Sequence, residues 1–132
     1  MLHIHPEMVC FIIAKAYEFQ SKEEVVIPEV PNSPSDDWAL QVLADHVDDM
    51  TFQEVKTMID DLSLEQQAEL VALMWLGRGD YDLDEWDETV ESAREEMTDR
   101  TAEYLLAHPF VAEHLEEGLL QTIEWYRHAG RL

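Results

Sequence analysis

Cysteine, glycine and cations are all scarce in this chain, and each shortage removes a class of protein. A single cysteine, Cys10, in 132 residues rules out an internal disulfide framework and fits a reducing compartment. It sits within Met8-Val9-Cys10-Phe11-Ile12-Ile13-Ala14, where a buried, inert thiol is expected. With four glycines the chain holds no phosphate loop, dinucleotide fingerprint or Gly-x-Ser-x-Gly elbow. No apolar run approaches the ~20 residues of a membrane span. Ala14-Lys15-Ala16 has the small-x-small form of a signal-peptidase site, but Pro6 and Glu7 precede the apolar run and no basic segment does, so a secretory signal is not expected. Eight Lys and Arg stand against 30 Asp and Glu, too few to displace counter-ions from a nucleic-acid backbone. The expectation is a cytoplasmic protein that binds neither membrane nor nucleic acid.

What is present is a core and a large negative charge. At 46% hydrophobic residues with four tryptophans, the chain can bury a real interior, and its length fits one domain over 1–132. The formal charge of −22 favours solubility, and equally favours a surface built for a basic partner.

Periodicity reads as helix almost throughout. Pro6 suits a first helical position, and the first helix fills 1–24, ending near Ser21. Pro28, Pro31 and Pro34 make 25–34 an irregular, proline-rich connector lying as a strap outside the core. The helical core, 35–132, opens with a helix capped by Ser35 or Asp36 and carrying Leu40, Leu43 and Val47. Thr51-Phe52-Gln53-Glu54 has the form of a capping box ahead of a Phe52, Val55, Ile59, Leu62 stripe. Ser63-Leu64-Glu65-Gln66 is a second box, and its helix contains the apolar run Leu70 to Leu76. Seven consecutive apolar residues cover every face of two turns, so this helix belongs at the centre. Further helices are expected over about Leu83–Met97, Arg100–His108 and from Pro109 to about Tyr126. The last turns Val111, Leu115, Leu119, Thr122 and Tyr126 inward. Gly118 costs about 1 kcal/mol there relative to alanine, which implies close approach of a neighbouring helix. The fold class is therefore all-α: a single-domain bundle of six or seven helices with a proline-rich strap.

Gly77-Arg78-Gly79-Asp80 and the carboxylates beyond it invite a site. Asp80, Asp82, Asp84 and Glu91 have the spacing of calcium-loop positions 1, 3, 5 and 12, but position 6 requires glycine and holds Glu85. The better reading is a corner: Gly79 left-handed after the helix, Arg78 at the dipole's negative end, Asp80 or Asp82 capping the next helix. Beyond the corner Trp86, Val90, Ala93 and Met97 form an inward stripe. Asp84, Glu88, Glu91 and Glu95 form an outward one without lysine partners, although like charges at i, i+4 cost roughly 0.2–0.5 kcal/mol per pair. These four are the candidate partner surface.

No catalytic, cofactor-binding or metal-ligating residue is assigned, and no cofactor is expected. His3 and His5 make a weak chelating pair; neither Glu-x-x-His nor His-Glu-x-x-His is present. His114 and Glu117, one turn apart, are expected to form an ion pair, and His108 a cationic helix end. The first functional reading is an interaction or regulatory module without catalysis, bound to a basic protein, with homo-oligomerisation left open. The alternatives are a metal-dependent or carboxylate-based hydrolase whose acids meet only in the fold, and an acidic mimic of nucleic acid.

Several stretches carry a resemblance: Pro6-Glu7 with Val9 to Ile13 and Lys15-Ala16; Pro34-Ser35-Asp36-Asp37; Glu69 to Asp80; Tyr104-Leu105-Leu106; and His114 to Leu119. On these the chain resembles the bacterial proteins catalogued as domain of unknown function number 3775. The residues after Glu124 take no part. The resemblance implies a small bacterial protein with no assigned activity, and it carries over no functional residues.

Overall fold

The computed structural model describes residues 2–21 and 49–128, with side chains as far as Trp125 in the last helix. The expected proline strap and the helix capped by Ser35 or Asp36 lie outside the described residues, as does the Tyr126 side chain. Six α-helices are described: α1 Pro6–Gln20, α2 Met50–Asp60, α3 Leu64–Arg78, α4 Trp86–Glu96, α5 Thr101–Leu106 and α6 Val111–His128. There is no strand among the described residues, and the fold is an all-α bundle. No described helix is long and apolar enough to cross a membrane.

The helix boundaries follow from local chemistry. Pro6 opens α1, where its missing N–H costs nothing. Ser63 and Gln66 form the reciprocal capping box of α3, both bonds 3.1 Å long. At the other end Gly79 takes φ 93°, its N–H bonding Leu76 O at 3.1 Å while Asp80 N–H bonds Trp75 O at 3.0 Å. This is the paired closure that a left-handed residue permits, so the corner reading holds at the helix end; of its two candidate caps, Asp82 heads the next turn while Asp80 pairs with Arg78. The reading of Thr51 as a cap does not. Asp49 caps α2, accepting from Phe52 N–H at 3.0 Å, because aspartate precedes the helix and caps better than threonine. Thr51 is instead buried, its hydroxyl reaching Glu18 at 3.3 Å. A turn of 3-10 helix, Leu83–Glu85, leads into α4.

α3 lies at the centre, packed on α6 and α4, while α1 covers α6 and α2. Every residue from Gln67 to Leu76 is buried. The crossing of α3 and α6 is unusually tight. A Cβ on Gly118 would stand 2.1 Å from Leu73 O, and one on Gly77 would stand 1.7 Å from His114 O. The two contacts run in opposite directions along the chain, so the helices are antiparallel. Gly118 thus returns its propensity cost as backbone contact.

Cys10 departs from expectation: it is exposed. Val9, Ile12, Ile13, Ala16 and Phe19 face the core, and that helical period leaves position 10 on the outer side.

Candidate functional site

α4 turns Trp86, Thr89, Val90 and Ala93 inward, and Asp84, Glu88, Glu91 and Glu95 are all exposed. The four do share the solvent side, but they are not equivalent. Arg94 bonds Glu91 at 2.5 Å and also reaches Glu65 on α3. Glu91 therefore has a cation, supplied at i+3 by an arginine rather than at i+4 by a lysine. No described cation lies within ion-pair distance of Asp84, Glu88 or Glu95. The calcium spacing is broken up in the same way, since Asp80 is held by Arg78 at 2.8 Å and Glu91 lies within α4. Carboxylate oxygens of Asp82, Asp84 and Glu85 approach within 4.8 Å of one another; Glu85 is spent accepting Asp82 N–H at 3.0 Å.

A second cluster joins distant parts of the chain. The Glu69 side chain is 2% exposed. It accepts His3 N–H at 2.8 and 2.9 Å, accepts Ile4 N–H at 2.8 Å and bonds His3 Nδ1 at 2.9 Å. Gln66 adds a bond to His3 O at 3.2 Å. A buried carboxylate is tolerable only when hydrogen-bonded in this way, and the result is a clasp that anchors the segment before α1. His3, Glu65 and Glu69 present ligand atoms within 4.8 Å of one another, a donor set of imidazole and two carboxylates that suits a divalent ion. Here Arg94 already engages Glu65. His5 is exposed and takes no part. Sequence reasoning passed over Glu69; its only local signal was a carboxylate heading a buried run, one turn after Glu65.

The corner of α3 adjoins a third polar group. Trp75 Nε1–H donates to Tyr104 Oη at 2.9 Å, and Tyr81 stacks on Trp75 with centroids 5.9 Å apart. Trp75, Arg78, Asp80, Tyr81 and Glu96 line an open cleft of about 340 Å³. His108, expected to be a cationic helix end, is 2% exposed. Its Nδ1–H donates to Tyr104 O at 2.9 Å, its ring meets Tyr104 edge-on at 4.7 Å, and its Nε2 is buried without a partner among the described residues. Burial pushes its pKa down to about 4; the Tyr104 carbonyl opposes this, Arg78 and His114 reinforce it, and Asp80 opposes it weakly. Desolvation of the charged form outweighs the helix-end effect, and the imidazole is neutral. His114 is half-buried and makes no ion pair with Glu117 among the described residues. Burial lowers its pKa, with Arg78 acting the same way.

Neutral burial of His108 has a consequence for acid stability. An unfolded imidazole titrates near 6.5, the folded one near 4. Stability from this group is complete above pH 6.5 and is lost as pH falls toward 4, because the unfolded chain takes up a proton that the folded chain excludes. The loss amounts to roughly 3 kcal/mol. Urea denaturation of wild type and His108→Asn across pH 4–7 isolates it from the carboxylates. The wild-type stability should fall by about that much more than the variant's; equal slopes would show a histidine that protonates freely.

No curated protein and no solved structure matches the chain. One family model does, described as "Protein of unknown function (DUF3775)", over residues 52–122. That stretch holds nearly all of α2, all of α3, the part of α6 up to Thr122 that includes both glycine contacts, the corner, and the acidic face of α4. With more than half of its length matched across these elements, the chain belongs to the DUF3775 family of proteins of unknown function.

Proposed function

We propose that the chain is a cytoplasmic interaction or regulatory module, without catalysis of its own, that engages a basic protein through the outer face of α4. What supports this reading is where the few cations go. Lys15 bonds Glu54 at 2.9 Å, joining α1 to α2; Lys56 bonds Glu103 at 3.1 Å, joining α2 to α5; Arg94 joins α4 to α3 through Glu65. Three of the five cations with described side chains are spent at helix seams and Arg78 on neighbouring Asp80, while Asp84, Glu88 and Glu95 stay exposed without an ion-pair partner among the described residues, a disposition that speeds encounter with a basic surface.

The test is the double substitution Glu88→Gln, Glu95→Gln. In the isolated protein it removes like-charge repulsion and should raise stability by some tenths of a kcal/mol, most visibly at low salt. Titrated against the basic protein that wild type retains, it should slow association and flatten the salt dependence. Stability gained together with binding lost identifies a face kept for function. Unchanged affinity with an unchanged salt slope makes the face merely solvated.

A second reading, a metal-dependent hydrolase, draws on the convergence of His3, Glu65 and Glu69. Stoichiometric metal in protein purified without a tag would favour it over the first.

A further inference from the structure

We propose that the groove between α1 and α2 receives a basic amphipathic helix from the partner protein, which extends the reading of an acidic interaction module and rests on it. The helices are antiparallel: Lys15 meets Glu54, and Glu18 meets Thr51. Each buries one face, Val9, Ile12, Ile13, Ala16 and Phe19 from α1 and Phe52, Val55 and Ile59 from α2. Their outer shoulders do not close over one another. Met8 and Phe11 from α1 and Met50 and Met58 from α2 line an open groove of about 780 Å³. Phe11 is 50% exposed and Met50 78%. Aromatic and thioether surface left open in a chain this polar marks a contact surface, and methionine adapts its shape to whatever apolar side chains arrive.

Dimensions and charge select the occupant. From Met50 to Met58 is about two helical turns, or roughly 12 Å, enough for anchors at i, i+3 or i+4, and i+7 of a docked helix. Glu7 and Glu54 line the groove; Glu54 shares Lys15, whose ammonium stands 5.7 Å from the Phe11 ring, so the rim keeps a net negative charge with Glu7 as its uncompensated carboxylate. The nearby Lys15 is already engaged by Glu54 and Glu18. The flanks of an incoming helix are therefore basic. A second copy of the chain, at −22, is repelled.

The probe is a fluorescent leucine–lysine peptide with leucine at helical spacing, compared with a scrambled peptide of the same composition by anisotropy on the full chain. The amphipathic peptide should bind about tenfold more tightly or better. Phe11→Ser, Met50→Ser should weaken it about tenfold or more; Phe11 buries half its surface, so the variant melts somewhat lower, and binding is compared at a temperature where both proteins are folded. Glu88→Gln, Glu95→Gln should weaken it less. Equal binding of the scrambled peptide overturns the proposal, leaving only general attraction to an acidic protein. Loss with Glu88→Gln, Glu95→Gln but not with Phe11→Ser, Met50→Ser places the peptide on α4, so the groove fails while the function proposed above stands. No binding at all, because a second copy or residues 22–48 fill the groove, also overturns it, and sedimentation of wild type beside Phe11→Ser, Met50→Ser tells those two apart.

Discussion

Alanine at Gly77 should destabilise the protein by about 3 kcal/mol or more, the upper end of what overpacking costs. The added carbon would lie 1.7 Å from His114 O and 2.9 Å from Gly118 N. Those neighbours are backbone atoms, so no rotamer change relieves the overlap, and α3 and α6 must separate along the bundle's main seam. Gly118→Ala is the milder partner because its carbon would meet Leu73 O at the longer distance of 2.1 Å, while alanine returns helix propensity of up to about 1 kcal/mol at either position. Neither glycine has the positive φ that distinguishes Gly79, so the penalty is steric and not conformational. Urea denaturation of the two variants checks both size and order. Wild-type stability in Gly77→Ala would mean that the two helices do not cross at this distance.

That seam shows how far the sequence could be read. Gly118 inside an otherwise good helix signalled close approach because its cost demanded a return, and the apolar run Leu70 to Leu76 signalled a central helix because no face was left for water. Both arguments are local. The partner of Gly118 was not legible, and neither was the matching role of Gly77, because an antiparallel crossing is a relation between distant residues. The same holds for the candidate sites. The acidic face of α4 followed from helical spacing alone, but Glu69 gripping the chain at His3, and Arg94 reaching Glu65, join segments with no common periodicity. Cys10 was misplaced for another reason. An unbroken apolar run carries no phase, so burial of Val9, Ile12 and Ile13 on one side and exposure of Cys10 and Phe11 on the other could not be told apart. At His108 two local rules compete, and burial overrides the helix-end preference for a cation.

Trp75→Ala should cost roughly 3–5 kcal/mol, a large share of the 5–15 kcal/mol that typically holds a domain folded. Two losses combine. Trp75 is 5% exposed in the central helix, packed on Tyr81 and bonded to Tyr104, so its removal forfeits that packing and deepens the cleft it lines. It also removes the indole N–H bonded to Tyr104 Oη at 2.9 Å in a residue only 1% exposed; with Arg78 still close to the same hydroxyl, this loss falls toward the lower end of the about 1–3 kcal/mol that an unpaired buried hydroxyl costs. Trp75→Phe separates the two. It keeps most of the apolar volume against Tyr81 but cannot donate, so it should lose only the smaller part. Adding Tyr104→Phe to Trp75→Phe should then cost little more, because the hydroxyl whose bond was broken is gone. Chemical denaturation of the three single variants and the double closes the cycle. If Trp75→Ala matches wild type, the indole is not part of the core; if Tyr104→Phe is equally harmful with and without the indole N–H, the hydrogen bond between them carries no stability.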